Sequence, residues 1–150
     1  MARIEMSYDR LGNRLRSIGN VEIRYDKLGS RPKSIGGWEL NYDMLGSRLR
    51  SIGNLEIRYD KLGSRPKWIG DWELNYDLLG SRLRSIGDLK IRYDKLGSRL
   101  KSIEDIELQY DLLGTRPKVL ITPDNDSQLT GTQLLIVFFL LYQQQHEKKG

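Results

Sequence analysis

The chain lacks the residues on which many kinds of functional site depend. It has no cysteine, which excludes disulfides and thiolate chemistry. Its one histidine, His146, lies in a polar tail without a plausible metal or catalytic partner. The N-terminus MARIEMSYDR lacks the apolar stretch of a secretory signal. We therefore expect a cytoplasmic protein that is not an enzyme, with no catalytic residues, no cofactor and no metal.

Hydrophobic residues are also few, at 38% of the chain, whereas charged residues make up 30%. These fractions lie below and above the averages of globular domains, respectively. They predict a thin layer with much surface rather than a thick core. The formal net charge of +5 could attract nucleic acid or anionic lipid, but acidic and basic residues alternate in every repeat.

One short motif, in contrast, is abundant. The dipeptide Tyr-Asp returns every 17 residues within the unit YDxLGSRxxSIGxxEIx. The copies start at Tyr8, Tyr25, Tyr42, Tyr59, Tyr76, Tyr93 and Tyr110. Such a fixed period is typical of a repeat architecture. We expect a seven-copy repeat domain over residues 1–122, a linker over 123–128 and an apolar segment with a polar tail over 129–150.

A single repeat has the pattern of a β-hairpin. Residues 21–26 (VEIRYD) alternate apolar and polar side chains, which predicts a strand with one buried face. A three-residue loop, Lys27-Leu28-Gly29, then leads into a return strand. A two-residue connection led by glycine completes the period and is typical of a type II′ turn. Seven such units predict a meander of about fourteen antiparallel strands.

The three-residue loop sets an expected register. Tyr25 lies opposite Arg31 and Ile23 opposite Lys33, so arginine and lysine side chains cross the apolar face. An arginine over a tyrosine ring adds about 0.5–1 kcal/mol at an exposed site. Pro32 falls on the polar face in this register.

The residues around each loop are interpreted as structural turn residues. The carboxylate of Asp26 can accept backbone N–H groups of the loop or pair with Arg31, and Gly29 can adopt a left-handed conformation. The corresponding residues of the next two copies are Asp43, Gly46, Arg48, Asp60, Gly63 and Arg65. A calcium or catalytic array of the aspartates is the disfavoured alternative, because no oxygen ligands cluster at loop spacing.

Tryptophans and basic residues give a possible binding face. Aromatic rings beside cations can stack nucleic-acid bases or sugars, although such tryptophans more often fill a core. The residues of this possible face are Trp38, Trp68, Trp72, Lys33, Arg50 and Lys67.

The core YDxLGSRxxSIG resembles the YD repeat of RHS-type proteins, whose units read roughly YDxxGRLxxV. The shared residues are Tyr-Asp, the turn glycine and the arginine, within residues 8–118. The resemblance implies β-hairpins in a long sheet that spirals into a shell around a cargo. Here one residue intervenes between glycine and arginine, and seven copies are too few to enclose a cargo.

After residue 118 the period ends, and an apolar run begins at residue 134. Nine consecutive apolar residues are fewer than the roughly 20 that a membrane-spanning helix needs. Three arrangements are open: a helix or strand that covers the apolar face of the sheet, a self-association element, or a segment that dips into a membrane. The residues of this possible association or membrane segment are Leu134, Leu135, Ile136, Phe138, Phe139 and Leu141.

The expected fold is all-β: tandem hairpins in an antiparallel meander that curls into a barrel or spiral, with a C-terminal helix. The end strands, around residues 4–6 and 119–121, are expected sites of edge-to-edge association. We expect a structural or protein-interaction scaffold that forms homo-oligomers. The alternatives are a module that binds nucleic acid or glycan, and a small effector anchored to a membrane by residues 129–142.

Overall fold

A computed structural model describes residues 1–9, 14–26, 31–43, 48–60, 65–77, 82–94, 99–110, 116–123 and 129–147. They form fourteen strands and one helix. The elements are β1 (Ala2–Tyr8), β2 (Leu15–Ile18), β3 (Val21–Tyr25), β4 (Pro32–Ile35), β5 (Trp38–Tyr42), β6 (Leu49–Ile52), β7 (Leu55–Tyr59), β8 (Pro66–Ile69), β9 (Trp72–Tyr76), β10 (Leu83–Ile86), β11 (Leu89–Tyr93), β12 (Leu100–Ile103), β13 (Ile106–Tyr110), β14 (Pro117–Thr122) and α1 (Gly131–Glu147).

The strands follow one another around a closed antiparallel barrel, which confirms the expected fold class and selects the barrel over the spiral. Each strand pairs with its neighbours in the chain, and β1 pairs with β14 to complete the circle. The two end strands, expected as sites of edge-to-edge association, therefore pair with each other. That expectation is wrong for their backbone edges, because closure of the barrel removes them.

The register within each hairpin differs from the expected one. In β3 and β4, Ile23 lies opposite Ile35 and Tyr25 opposite Pro32, with a bulge between the two pairs. The connection between these strands is longer than three residues, because β3 ends at Tyr25 and β4 begins at Pro32. The N–H of Asp26, at the start of the connection, donates to the carbonyl of Arg31 at its end. The bulge turns Lys33 outward and buries Pro32, so the expected positions of both side chains are wrong.

The short connections between hairpins have the backbone expected of type II′ turns. In the turn between β2 and β3, the leading Gly19 has φ of 60°, and positive φ is confined to that first position. Four further turns repeat this pattern with glycine. In the turn between β12 and β13, Glu104 takes the glycine position with φ of 53°, and its carboxylate accepts the backbone N–H of Lys90.

The helix α1 lies inside the barrel. Seven consecutive residues, 134–140, are each at most 5% exposed, so the helix is covered on every side. They form one hydrophobic cluster with the inward residues of the strands. A barrel of fourteen strands is wider than side chains alone can fill, and the helix occupies this space. This is the first of the three arrangements that the sequence left open.

Glu104 offers a direct test of the turn conformation. We expect Glu104→Ala to be less stable than Glu104→Gly by about 1 kcal/mol, because both variants lose the carboxylate but only alanine retains the strain of positive φ. Urea unfolding measures the difference. At the next residue, Asp105, whose φ is not positive, the order should reverse. An equal stability of the two Glu104 variants would contradict the assigned turn.

The position of the helix predicts a large effect at Phe139, which is 1% exposed. Phe139→Ala should lower the free energy of unfolding by about 3–5 kcal/mol, because it leaves a cavity in the core. Leu141→Ala, at a half-buried position, should cost less. If Phe139 instead formed an oligomer interface, its truncation would lower the solution mass in light scattering and leave monomer stability unchanged.

Candidate functional site

A cluster of aspartate, arginine and tyrosine recurs around one end of the barrel and joins neighbouring hairpins. The Arg31 guanidinium pairs with Asp26 of its own hairpin at 3.3 Å and lies 4.4 Å from the ring centre of Tyr42 in the next hairpin. The Tyr42 hydroxyl donates to the carbonyl of Pro32, beside that arginine, at 2.6 Å. We name this arrangement the Tyr–Arg clasp. The expected cation–π contact therefore exists, but with the tyrosine of the next hairpin rather than with Tyr25.

The Arg–Tyr contact and the tyrosine hydrogen bond of the clasp recur at all seven junctions. The Arg–Tyr distances are 4.2–4.9 Å and the tyrosine hydrogen bonds are 2.5–2.9 Å. At the closing junction, Arg116 lies 4.5 Å from the Tyr8 ring, and the Tyr8 hydroxyl donates to the carbonyl of Pro117. The last hairpin therefore binds the first as any two neighbours bind each other.

The turn residues named from the sequence divide between this clasp and the connecting segments. Asp26, Asp43 and Asp60 pair with the arginines of their own hairpins at 3.1–3.5 Å. The N–H of Arg48 also donates to the Asp43 carboxylate. The arginines concerned are Arg31, Arg48 and Arg65. The glycines Gly29, Gly46 and Gly63 lie outside the described residues.

The basic residues of the predicted binding face lie on the outer wall as part of a larger set. Lys33 sits at the bulge and points outward, as do Arg50 and Lys67. All seven hairpins place an exposed cation at this position, and none of the seven pairs with a carboxylate among the described residues. We name this set the basic girdle: Arg16, Lys33, Arg50, Lys67, Arg84, Lys101 and Lys118. Sequence reasoning missed four members, although aligning the copies shows a basic residue at this position in each.

A second ring of charge lies on the same wall, nearer the two-residue turns. Five hairpins carry an exposed glutamate in the strand residue that pairs beside a two-residue turn, and Glu5 takes the corresponding position on β1, opposite Val119 of β14. We name them the acidic row: Glu5, Glu22, Glu39, Glu56, Glu73 and Glu107. The sixth hairpin has Lys90 at this position. The outer wall is therefore acidic toward the short turns and basic toward the long connections.

The three tryptophans do not lie on one face. Trp38 and Trp72 point inward and pack against the core, each over a turn glycine. A Cβ at Gly53 would lie 2.5 Å from the Trp38 ring, and one at Gly131 of α1 would lie 3.2 Å from it. Trp68, in contrast, is half-buried on the outer wall, where the Arg58 guanidinium lies 5.4 Å from its ring centre. The structure thus joins only Trp68 to the basic girdle.

A cavity of about 520 Å³ lies between the hairpins β3–β4 and β5–β6, a size typical of small-molecule sites. Most of its polar groups are bonded to one another within clasps. Its lining is Tyr25, Asp26, Arg31, Pro32, Lys33, Leu40 and Tyr42. Within the described part of this lining, Lys33 is the cation without an ion pair.

The apolar segment named from the sequence is used inside the molecule. Leu134, Leu135, Ile136, Phe138 and Phe139 are 1–5% exposed, and Leu141 is half-buried. At the clasp end, the Tyr142 phenol group lies beside that of Tyr42. No helix in the described residues has both the length and the hydropathy to cross a membrane.

Histidine, aspartate and glutamate residues do not gather into a metal-binding group anywhere in the described ranges. Comparison with family models, curated proteins and solved structures gives no match. The resemblance to YD repeats rests on the motif alone.

Burial shifts the ionisation of the clasp tyrosines. Burial, the largest cause, raises the pKa of Tyr59 and of Tyr110 to about 12, and it also raises the pKa of Tyr25 and Tyr42. At Tyr42 and Tyr59 the nearby Tyr142 adds to the increase. The neutral phenol is therefore the form that the folded barrel holds, in agreement with its role as a hydrogen-bond donor.

These shifts predict alkaline unfolding. A tyrosine whose pKa is higher in the folded state stabilises the fold fully below its ordinary value of 10.0, and this contribution is lost as pH rises toward about 12. We expect the urea midpoint to fall steeply across this window, together with the rise of tyrosinate absorbance. Tyr59→Phe with Tyr110→Phe should lower stability at neutral pH by about 1 kcal/mol for each lost hydrogen bond and make the pH dependence shallower. An unchanged dependence in this variant would contradict the assignment.

Proposed function

We propose that the chain is a non-enzymatic interaction scaffold, a closed ring whose outer wall binds a polyanionic partner through the basic girdle. The observation that carries the proposal is the exposure of all seven girdle cations without a carboxylate partner among the described residues. The clasp arginines differ, since each of the six from Arg14 to Arg99 is held by an aspartate. Charge in the girdle is thus available for a partner.

The wall fixes the spacing of these cations. Neighbouring girdle residues are two strands apart, which corresponds to about 10 Å around the circumference. The clasps and the central helix hold the strands that carry them, so little ordering of the wall is needed on binding. The acidic row repels an anion from the other half of the wall. A bound polyanion is therefore confined to the girdle, and nucleic acid is the polyanion we propose.

Association between copies is the second candidate, and the acidic row favours it. Two barrels packed side by side in opposite directions would place the acidic row of each against the basic girdle of the other. Such a contact is self-complementary and closes as a dimer. It differs from the association expected from the sequence, which relied on free edge strands and an apolar tail that are both occupied within the monomer.

Neutralising the girdle separates the two candidates. We expect Lys33→Gln, Lys67→Gln and Lys101→Gln together to weaken binding of a fluorescent oligonucleotide and to reduce the slope of log K against log salt by about 2, at roughly 0.7 for each lost phosphate contact. The fold should persist, because these side chains are exposed.

The matched control neutralises the acidic row with Glu22→Gln, Glu56→Gln and Glu73→Gln. This variant should bind the oligonucleotide at least as tightly as the wild type. Light scattering at low and high salt reports on association in the same samples. The second candidate replaces the first if the wild type binds no nucleic acid but forms salt-sensitive oligomers, and if both variants abolish these oligomers.

A further inference from the structure

The repeats provide an internal control for Trp68. Five other hairpins have serine at the same position, and the last has Val119. The barrel is thus built with a small side chain there: Ser51, for example, accepts a hydrogen bond from Asn41 across the strand pair at 3.1 Å. The serines are Ser17, Ser34, Ser51, Ser85 and Ser102. The fold does not need an aromatic ring at residue 68.

Trp68 is surrounded by the charged groups of the outer wall. Its strand neighbours are Arg58 on β7 and Glu73 on β9, and the preceding residue, Lys67, belongs to the basic girdle. The Arg58 guanidinium lies 5.4 Å from the ring centre and 3.8 Å from the Glu56 carboxylate. An aromatic ring, a guanidinium plane and a row of free cations therefore meet at one place on the wall.

This combination is the one with which proteins bind single-stranded nucleic acid. Bases of a single strand stack on aromatic rings and on guanidinium groups, while a basic surface follows the phosphates. A duplex hides its bases and offers only phosphates to a convex wall. We infer that Trp68, together with Arg58, is a stacking platform for an unpaired base of a single-stranded nucleic acid, whose phosphates lie along Arg50, Lys67 and Arg84. The inference rests on the proposed function, in which the girdle binds a polyanion.

The platform gives an otherwise repetitive girdle one distinct position. Trp38 and Trp72 cannot provide a second platform of this kind, because both pack inward against the core. One barrel thus has one base-stacking site within its arc of phosphate contacts. A strand bound there is anchored at hairpin β7–β8 instead of sliding freely around the ring.

The sequence offers a matched pair of variants for the test. Hairpins β3–β4 and β7–β8 are identical from residue 21 to 37 and from 55 to 71 except at three positions: Val21 and Leu55, Ser34 and Trp68, and Gly37 and Asp71. Trp68→Ser gives β7–β8 the side chain of its counterpart. Ser34→Trp creates the platform beside Arg24 and Lys33. The double variant moves the platform by two hairpins and keeps the composition of the chain.

The probes are a fluorescent oligothymidylate, a duplex of the same length and inorganic polyphosphate. Trp68→Ser should raise the Kd for oligothymidylate roughly 5- to 100-fold with little change in the salt slope. Its Kd values for the duplex and for polyphosphate should stay within about twofold, since phosphate contacts are retained. The double variant should recover most of the lost affinity for the single strand. Urea midpoints check that every variant is folded.

Each other result overturns the inference. If Trp68→Ser leaves oligothymidylate binding unchanged, or weakens all three probes equally, Trp68 is no base platform. If the wild type binds polyphosphate and duplex but prefers no single strand, the inference fails while the proposed function stands. If the wild type binds none of the probes, both the inference about Trp68 and the proposed function of the basic girdle are wrong. Salt-insensitive glycan binding that depends on Trp68 would assign the ring to sugars instead.

Discussion

The fold depends on the contact between the arginine of one hairpin and the tyrosine of the next. A hydrogen bond and a cation–π contact at each junction are modest, at about 1 kcal/mol each, but they recur at every junction of the ring. Because Arg116 and Tyr8 form the same contact as Arg31 and Tyr42, closure uses no special element. Both residues of the repeated Tyr-Asp dipeptide take part in this contact. The aspartate binds the arginine of its own hairpin, and that arginine binds the tyrosine of the next hairpin.

Parts of the chain that depart from the repeat, namely α1 and Trp68, account for the remaining features of the structure. Seven equal hairpins make a barrel too wide to fill with its own side chains, and α1 fills it. The helix meets strand β5 at both ends, through Gly131 at Trp38 and through Tyr142 at Tyr42. Trp68 is the corresponding departure on the outer wall. Positions shared by all copies build the ring, the added helix fills it, and Trp68, which no other copy repeats, distinguishes one place on its surface.

Much of this arrangement can be read from the chain, and the failures have a common cause. Alternating residues, turn glycines and the 17-residue period predict the hairpins, and the strand number predicts that the sheet must curl. The bulge at Lys33 is not visible in one copy, because the strand 32–35 (PKSI) buries its first and last residues and so lacks a period of two. A register that omits this bulge is shifted by one residue, so it places Tyr25 opposite Arg31 instead of Pro32. The apolar character of residues 134–140 predicts that they are buried. Their position inside the barrel follows only once the sheet is known to close, because an open sheet has a face to cover but no interior to fill.

Closure of the ring is the central claim, and a disulfide across the seam tests it most directly. Arg3 and Ile121 are strand partners on β1 and β14, and the chain has no native cysteine to interfere. Paired strand residues lie within the Cα distance that a disulfide spans. After mild oxidation of dilute native Arg3→Cys/Ile121→Cys, mass spectrometry should find an intramolecular bond in nearly every molecule, and closing so long a loop should stabilise the fold by roughly 4 kcal/mol. Free thiols, or bonds only between chains, would show that β1 and β14 do not meet and would contradict the account.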